Sequence, residues 1–220
     1  MKSLLRTAIG ALALLALTTP AHAGIVTYPD FVTWNAAVTG VTTVTVPDPA
    51  PDAFTFIGSG TASVTYGGVT FSTDGTISDG NFFNVGSIFS GVAAVLSSQG
   101  QSFGLSNILI TLPGSFTGFA LDFGTFFGSA VTFTLSNGDT VTLGSTGSGY
   151  AVPDFVGVTD TTPFTSILVT SADGVLNIDG VSYGVLPAVA VPEPASLTLL
   201  GLGAIGFGAF ARRRKAAAAC

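Results

Sequence analysis

The residues of this chain that could do chemistry are aspartates, because most other reactive side chains are missing from its long central part. Between Gly24 and Val191 the 220-residue sequence contains no Lys, Arg, His, Cys, Met or Glu. The same stretch holds eleven of the twelve acidic residues, all of them Asp. This composition excludes serine triads, lysine Schiff bases, cysteine nucleophiles and histidine-ligated metals. It also argues against nucleic-acid binding, since no cation is present to neutralise phosphates.

Catalysis in this part of the chain would need a pair of aspartates, such as glycosidases use. The candidates by residue type are Asp122, Asp139, Asp154, Asp160, Asp173 and Asp179. Most of them stand beside Gly, Asn, Ser or Thr, as in Asn137-Gly138-Asp139, where turn formation explains the residue without any activity. We therefore predict that the protein is not an enzyme.

Asp122 and Asp179 differ from the other aspartates because they lie inside strand-like segments, where a charged side chain needs a reason. Calcium would supply one, since it binds carboxylate oxygens and the segment has no internal cations. The position of Asp179 resembles that of the calcium ligand near the last strand of many jelly rolls. Calcium is thus the candidate cofactor, and no other is predicted. The alternative is that both side chains face solvent.

Aromatic residues are the second group of candidates. Phe82-Phe83, Phe126-Phe127 and Tyr150 fall in or beside segments rich in Gly, Ser and Asn, which predicts loops. Exposed rings on a β-domain could stack on sugar faces, so exopolysaccharide is a candidate partner. The alternative is that these rings anchor loops in the core. Trp34 is expected to be buried.

The elements that must position these residues are predicted to be β-strands. Short β-branched segments recur about every 8–12 residues with turn residues between them, which predicts an all-β, jelly-roll-type β-sandwich. The predicted strands are Val41–Val46, Phe54–Ile57, Ser63–Tyr66, Val69–Ser72, Ala93–Leu96, Ser102–Leu105, Ile108–Leu112, Phe116–Phe123, Ala130–Leu135, Thr140–Leu143, Phe155–Val158, Phe164–Thr170 and Val175–Val185.

One short helix and two tight hairpins complete this prediction. Pro29 suits a first helical position, and Gly40 ends the helix. Between them, residues at helical spacing are Phe31, Trp34, Asn35 and Val38. Gly67-Gly68 and Ser136-Asn137-Gly138-Asp139 stand between alternating segments and predict hairpin turns.

The first 23 residues have the three parts of a secretory signal peptide. Lys2 and Arg6 are basic, Ala8–Leu17 is uninterruptedly apolar, and Ala21-His22-Ala23 gives a small-x-small pattern before Gly24. The apolar part is too short for a permanent span. We predict export by the Sec machinery and cleavage by signal peptidase near Gly24, with Ala21 and Ala23 as the small residues of the cleavage site; the alternative is a buried N-terminal helix.

The C-terminal part of the chain has the pattern of a membrane anchor. Ala195–Ala211 contains no charged residue, and its length of about 26 Å as a helix is at the low end for a membrane span. Arg212, Arg213, Arg214 and Lys215 follow directly. This basic cluster is expected to stay in the cytoplasm, with the predicted sandwich outside.

Pro192-Glu193-Pro194 stands just before the apolar segment. The order Pro-Glu-Pro, apolar helix, arginine cluster and chain end resembles the PEP-CTERM sorting signal of exported bacterial proteins. The resemblance implies that the membrane protease exosortase recognises these three residues and removes the helix, with Arg212 to Arg214 as the stop-transfer cluster. Members of the family usually end within a few residues of the arginines, so Ala216–Cys220 departs from the family pattern. The alternative is a plain linker.

Four segments between Phe116 and Tyr183, FTGFALDFG, LSNGDTVTLG, FVGVTDTTPFTSILVTS and LNIDGVSYG, resemble lectin-like or carbohydrate-binding-module-like sandwiches. The predicted order is a signal peptide (1–23), the sandwich (24–187), a linker (188–194), a transmembrane helix (195–211) and a basic tail (212–220). We predict an exported bacterial cell-surface or extracellular-matrix protein with a non-catalytic ectodomain. The alternative is a glycan-binding lectin-like module.

Overall fold

The computed structural model describes residues 24–49, 54–59, 62–73, 81–87, 94–98, 105–147 and 149–188. The predicted signal peptide, Pro-Glu-Pro motif, membrane helix and basic tail lie outside these ranges. The chain divides into two compact units, Met1–Leu186 and Pro187–Cys220. None of the helices in the described ranges has the length and hydropathy that a membrane span requires.

The described residues form one short α-helix and twelve β-strands. In chain order these are β1 (Val26–Tyr28), α1 (Phe31–Ala37), β2 (Thr39–Val44), β3 (Phe54–Ser59), β4 (Ser63–Tyr66), β5 (Val69–Ser72), β6 (Asn81–Val85), β7 (Ala94–Ser98), β8 (Ser106–Thr125), β9 (Val131–Leu135), β10 (Thr140–Leu143), β11 (Asp154–Ser171) and β12 (Val175–Val185). The predicted all-β fold with one N-terminal helix is therefore confirmed.

The twelve strands are hydrogen-bonded into one sheet. The long strands β8 and β11 pass from one half of this sheet to the other, and the two halves pack as two layers. The first half of β8 pairs with the second half of β11, as in Ile110↔Ile167. The second half of β8 pairs with the first half of β11, as in Phe119↔Val158. Register shifts on both sides of Phe164 mark the bend of β11 between the layers.

Layer A contains, in order, β4, β5, the first half of β8, the second half of β11, β9 and β10. Layer B contains β1, the first half of β11, the second half of β8, β12, β7, β6 and β3, with β2 also paired to β12. The core lies between the layers, where Phe133 of layer A contacts Phe119 and Phe123 of layer B at ring centroid distances of 6.3 and 5.2 Å. The two layers make the predicted sandwich.

Helix α1 packs on the outer face of layer B. Its Trp34 side chain is fully buried, as predicted, and the indole N–H donates to the Val158 carbonyl at 3.0 Å. A Cβ on Gly157 would lie 2.8 Å from Trp34, so only glycine leaves room for the indole. The helix begins at Phe31, two residues later than expected, because Asp30 is the N-cap and Pro29 precedes it.

Both predicted hairpins are present. Gly67 and Gly68 have φ angles of 53° and 85°, as a turn with two left-handed residues requires. In the β9–β10 turn only Gly138 has a positive φ, 100°, and its N–H donates to the Leu135 carbonyl at 2.9 Å. Asp139 closes this turn, because its carbonyl accepts the Leu135 N–H at 2.8 Å.

Several strand predictions need correction. The segments 108–112 and 116–123 belong to one strand, β8, and the segments 155–158 and 164–170 belong to β11. Strands β1 and β6 occupy segments where the sequence predicts none. The predicted strand 102–105 lies outside the described residues except for Leu105, which precedes β8.

Candidate ligand-binding face

Six aromatic rings form a continuous chain of contacts, here named the aromatic ribbon. Neighbouring ring centroids lie 4.8, 5.3, 5.3, 6.4 and 5.4 Å apart. Most of the contacts are edge-to-face, an arrangement that stabilises aromatic pairs. In order of contact, the rings belong to Phe127, Phe126, Tyr150, Phe54, Phe83 and Phe56.

Strands β3 and β6 place half of the ribbon on the outer face of layer B. Phe56 is the cross-strand partner of Phe83, so the two side chains share a face. Phe54 shares that face because it lies two residues from Phe56. Phe82 faces the opposite way and is fully buried in the core. Phe82 and Phe83 were expected in or beside a loop; they lie in strand β6, which sends one ring to each side.

Loops carry the other half of the ribbon, as the sequence predicts for these rings. Phe126 and Phe127 follow β8, and the Phe127 N–H donates to the Asp173 carboxylate. The Gly149 N–H donates to the Phe126 carbonyl at 3.4 Å, which ties the turn carrying Tyr150 to the same place. Asp173 is thus a buried structural residue that fixes the end of the ribbon.

Three of the six rings are open to solvent. Phe127 is 62% exposed, Phe56 56% and Phe54 40%. The other three are partly buried beneath and between them. Exposed aromatic rings that belong to one connected cluster are a candidate interaction surface. Sequence reasoning missed Phe54 and Phe56, although their spacing of two in a strand already indicated a shared face.

Asp122 and Asp179 come together on layer B. They are direct cross-strand partners on β8 and β12, so their side chains share a face. A bulge follows Asp179, where the register shifts before Ser182. The Asp122 carboxylate lies beside this bulge, 3.4 Å from where a Cβ on Gly180 would stand. Both residues were predicted to lie in strands, and the structure adds that they are neighbours.

The electrostatics of this pair follow from burial and from the repulsion between the two carboxylates. Burial, and then the neighbouring Asp179, raises the pKa of Asp122 to about 6. Burial also raises the pKa of Asp179, while backbone N–H groups of Gly180 and Val46 lower it by donating to the carboxylate. Both side chains are half-buried, which departs from the alternative of strand residues open to solvent.

The turn at residues 149–151 connects the carboxylate pair with the ribbon. On β12, the Asn177 side chain donates to the Gly149 carbonyl at 3.4 Å. On β8, a Cβ at Gly124 would collide with the Ala151 carbonyl. Both strand positions lie two residues from the paired aspartates and therefore share their face. Tyr150 lies at the centre of this turn and in the middle of the ribbon, so the pair lies two residues along β8 and β12 from the positions that this turn contacts.

The remaining acidic candidates make structural hydrogen bonds. Asp154 accepts from the Ser145 hydroxyl at 2.8 Å. Asp160 is buried in β11 and accepts from the Asn137 amide at 2.9 Å. Within the described ranges, no three His, Cys, Asp or Glu side chains form a group that could hold a metal ion. Calcium at the Asp122–Asp179 pair stays a prediction.

Comparison with solved structures finds β-domains of low sequence identity. A variant of the CBM29-2 module, of carbohydrate-binding module family 29, is 14% identical over 70% of this chain and 99% of that chain, with a TM-score of 0.30. The xylan-binding module CBM86 from Roseburia intestinalis is 8% identical over 67% and 96%, with a TM-score of 0.31. CsCBM6-3 from Clostridium stercorarium, solved with cellobiose, is 13% identical over 52% and 92%, with a TM-score of 0.29.

Comparison of the sequence identifies its C-terminal segment. A search of the curated proteins finds no match. Residues 190–215 match the PEP-CTERM protein-sorting motif. The matched range includes Pro192-Glu193-Pro194 and Arg212 to Arg214. This motif marks exported proteins that a C-terminal membrane region anchors until exosortase processes them. The chain is therefore an exported bacterial surface protein that carries a PEP-CTERM sorting signal at residues 190–215.

Proposed function

We propose that the sorting signal delivers a non-catalytic, glycan-binding domain to the cell surface or extracellular matrix. The single observation that carries this proposal is the aromatic ribbon, with its three exposed phenylalanine rings on one face of layer B. Aromatic rings have an electron-rich face, which attracts the slightly positive C–H groups on the face of a sugar. Apolar burial of these C–H groups adds to the attraction.

The shape of the ribbon favours an extended polysaccharide. It runs from edge strand β3 to the loop after β8, and these strands are four positions apart in layer B. At about 4.8 Å per strand this separation is roughly 19 Å, enough for several sugar units. The Asp122 and Asp179 carboxylates and the Tyr150 hydroxyl supply hydrogen-bond acceptors for sugar hydroxyls along the same face.

The geometry of Asp122 and Asp179 supports a non-catalytic role. Glycosidases place two carboxyl groups on either side of the scissile bond, about 5–9.5 Å apart. Directly paired strand residues instead stand side by side on one face, with Cβ atoms about 4.5–5.5 Å apart. Both carboxylates would then reach a bound sugar from the same side, whereas a glycosidase needs them on either side of the bond. Asp160 and Asp173, which are buried, are already bound to neighbouring donors.

Delivery requires processing at both ends. Signal peptidase would cut after Ala23 following export through the Sec machinery, and exosortase would act at Pro192-Glu193-Pro194. Two prolines remove two backbone donors, which would disfavour strand and helix in this segment and favour access by a protease. The mature protein would then be the sandwich alone, from Gly24 to the linker.

Glycan binding can be tested with the exported protein purified from its host. A glycan array identifies the ligand, and calorimetry compares wild type with a Phe56→Ala/Phe127→Ala variant. Each ring contributes about 0.5–1.5 kcal/mol to stacking, so we expect binding to weaken about tenfold. Phe31→Ala is the matched control, because Phe31 is 41% exposed but contacts Trp34 instead of the ribbon.

The variants are informative because both ribbon rings are exposed, so the fold should not depend on them. Equal binding by the Phe56→Ala/Phe127→Ala variant and wild type would place the glycan elsewhere. An array without any bound glycan would remove the proposed function. Loss of binding in the Phe31→Ala control would show that helix α1, and not the ribbon, forms the site.

A further inference from the structure

We propose that the glycan bound at the aromatic ribbon carries protonated amino groups, so that the ligand is a polysaccharide with free amino sugars. The inference rests on the proposed function and adds the chemical class of the ligand. It is carried by the Asp122–Asp179 pair, which lies two residues along β8 and β12 from the positions that contact the turn carrying Tyr150, and by the charge of the whole domain.

The charge of the domain selects against acidic ligands. Residues 24–191 contain eleven Asp and no Lys, Arg or His. An acidic polysaccharide would therefore meet like charge at every approach, whereas a polymer with ammonium groups would be attracted. A neutral polysaccharide would gain nothing from this charge, although it could still stack on the rings.

The carboxylate pair gives this general attraction a specific place. Asp122 and Asp179 are cross-strand partners in a half-buried position, and the pKa of Asp122 is governed by burial and by Asp179 alone. Two adjacent carboxylates accept hydrogen bonds but cannot donate them, while an ammonium group donates three. An amine between the two carboxylates would make charge-assisted hydrogen bonds and remove their mutual repulsion.

The ribbon reinforces the same preference. Tyr150 lies at the centre of the turn that borders the pair, and its ring contacts Phe54 and Phe126 at centroid distances of 5.3 Å. The face of an aromatic ring attracts a cation by about 0.5–2 kcal/mol. A sugar stacked at Tyr150 would thus carry its amine toward carboxylates that lie on the same face. N-acetylation would remove the charge and leave only the stacking.

The test compares two ligands of equal length, a glucosamine oligomer with free amines and an N-acetylglucosamine oligomer. Calorimetry on the exported protein at about pH 6.5 and ~50 mM salt should show the free amine binding about tenfold tighter. The preference should disappear at ~0.5 M salt, which screens charges over a few ångströms. It should also disappear in an Asp122→Asn/Asp179→Asn variant.

A control variant separates the pair from the total charge. Asp30→Asn/Asp139→Asn removes the same formal charge from the helix N-cap and the β9–β10 turn, and asparagine is an equally good N-cap. The preference is the ratio of the dissociation constants for the two oligomers. In the control variant, the logarithm of this ratio should stay at least half of its wild-type value. The two oligomers and the salt series need no variant, so the test does not depend on the folding of a mutant.

Two results would overturn the inference while leaving the proposed function intact. In one, the acetylated oligomer binds as well as the free amine. In the other, the preference survives Asp122→Asn/Asp179→Asn or is lost equally in the control variant. If neither oligomer nor any other glycan binds, the proposed function fails together with this inference.

Discussion

The paired carboxylates of Asp122 and Asp179 set the pH dependence of the fold at the residue scale. The pKa of Asp122 is about 6 in the folded protein, above its ordinary value of 3.8, because burial and the neighbouring carboxylate disfavour the charged form. The folded state therefore binds a proton more tightly than the unfolded chain does. Its stabilising contribution is fully present below about pH 4 and is lost as the pH rises through about 6.

The sign of this effect gives a first prediction. Wild type should lose about 1 kcal/mol of folding free energy between about pH 4 and 7 relative to an Asp122→Asn variant, after allowance for the partial solvent exposure of the pair. The variant keeps the shape of the side chain and has no charge to lose. Chemical denaturation of both proteins across this pH range measures the difference.

Val32→Ala is the control for this prediction, since Val32 is exposed on α1 and its replacement changes no titratable group. Its pH profile should follow that of wild type. If the profiles of wild type and Asp122→Asn stay parallel from about pH 4 to 7, the pair does not repel in the folded protein, and the charge argument for the ligand loses its local basis.

At the scale of elements, helix α1 is held on layer B by the fit of Trp34 over glycines. A Cβ on Gly157 would lie 2.8 Å from the Trp34 Cβ and 2.9 Å from its Cγ. Gly118, on the neighbouring strand, leaves the same kind of space for Val38, at 2.8 Å. The Trp34 Cβ is bonded directly to the helix backbone, so a methyl group added at Gly157 must displace the helix.

We expect Gly157→Ala to destabilise the protein by about 1–3 kcal/mol through this overpacking. Gly144→Ala is the matched control, because a Cβ at Gly144 would meet no atom within 4 Å; it should change stability by less than about 0.5 kcal/mol. Thermal unfolding of both variants checks the prediction. Equal stability of the two variants would mean that the helix does not depend on the close approach of Trp34 to β11.

The elements that the sequence predicts well are those with local causes. Both hairpins follow from the turn residues themselves, since Gly67-Gly68 and Gly138 allow φ angles that other residues avoid. The helix and its buried Trp34 follow from spacing over a single turn or two. Strand β6 escaped prediction because Phe82-Phe83 lies among Asn and Gly, which are typical of loops.

The long strands could not be predicted in full because their continuity is a tertiary property. Pro113 lies within β8 and Pro163 within β11, and proline normally interrupts a strand. Here Pro163 falls in the irregular stretch where the register between β11 and β8 shifts, so no ladder hydrogen bond depends on it. Pro163, which the sequence would identify as a strand break, therefore lies at the bend of β11 between the two layers.

The candidate site was predictable in its parts and not in its assembly. Asp122 and Asp179 were identified because charged residues inside strands are unusual. Their pairing depends on the register of β8 against β12, and the 56 residues between them give no local signal of that register. The contact of Tyr150 with Phe54 likewise joins the turn at residues 149–151 to strand β3, which is distant from it in sequence.

At the scale of the whole molecule, the positive and negative charges lie in different parts of the sequence. All six cations lie in the predicted signal peptide or in residues 212–215. Removal of both ends would leave a mature protein without any Lys or Arg. Such a protein cannot bind an anionic polymer by charge alone, and its retention in a matrix would depend on calcium, neutral sugars or amines.

The processing of the tail gives the last prediction. Replacing Pro192-Glu193-Pro194 by Ala-Ala-Ala restores two backbone donors and removes the charged side chain, so that helix can extend through the linker. We expect the precursor to remain uncleaved in the inner membrane with the sandwich outside. Replacing Arg212 to Arg214 by neutral residues leaves Lys215 as the sole charge that orients the helix, and less protein should be processed. Intact mass and membrane fractionation, in strains with and without the sorting protease, measure both effects. A mature protein that keeps its tail through Cys220 in both strains would contradict exosortase processing and leave a simple membrane anchor.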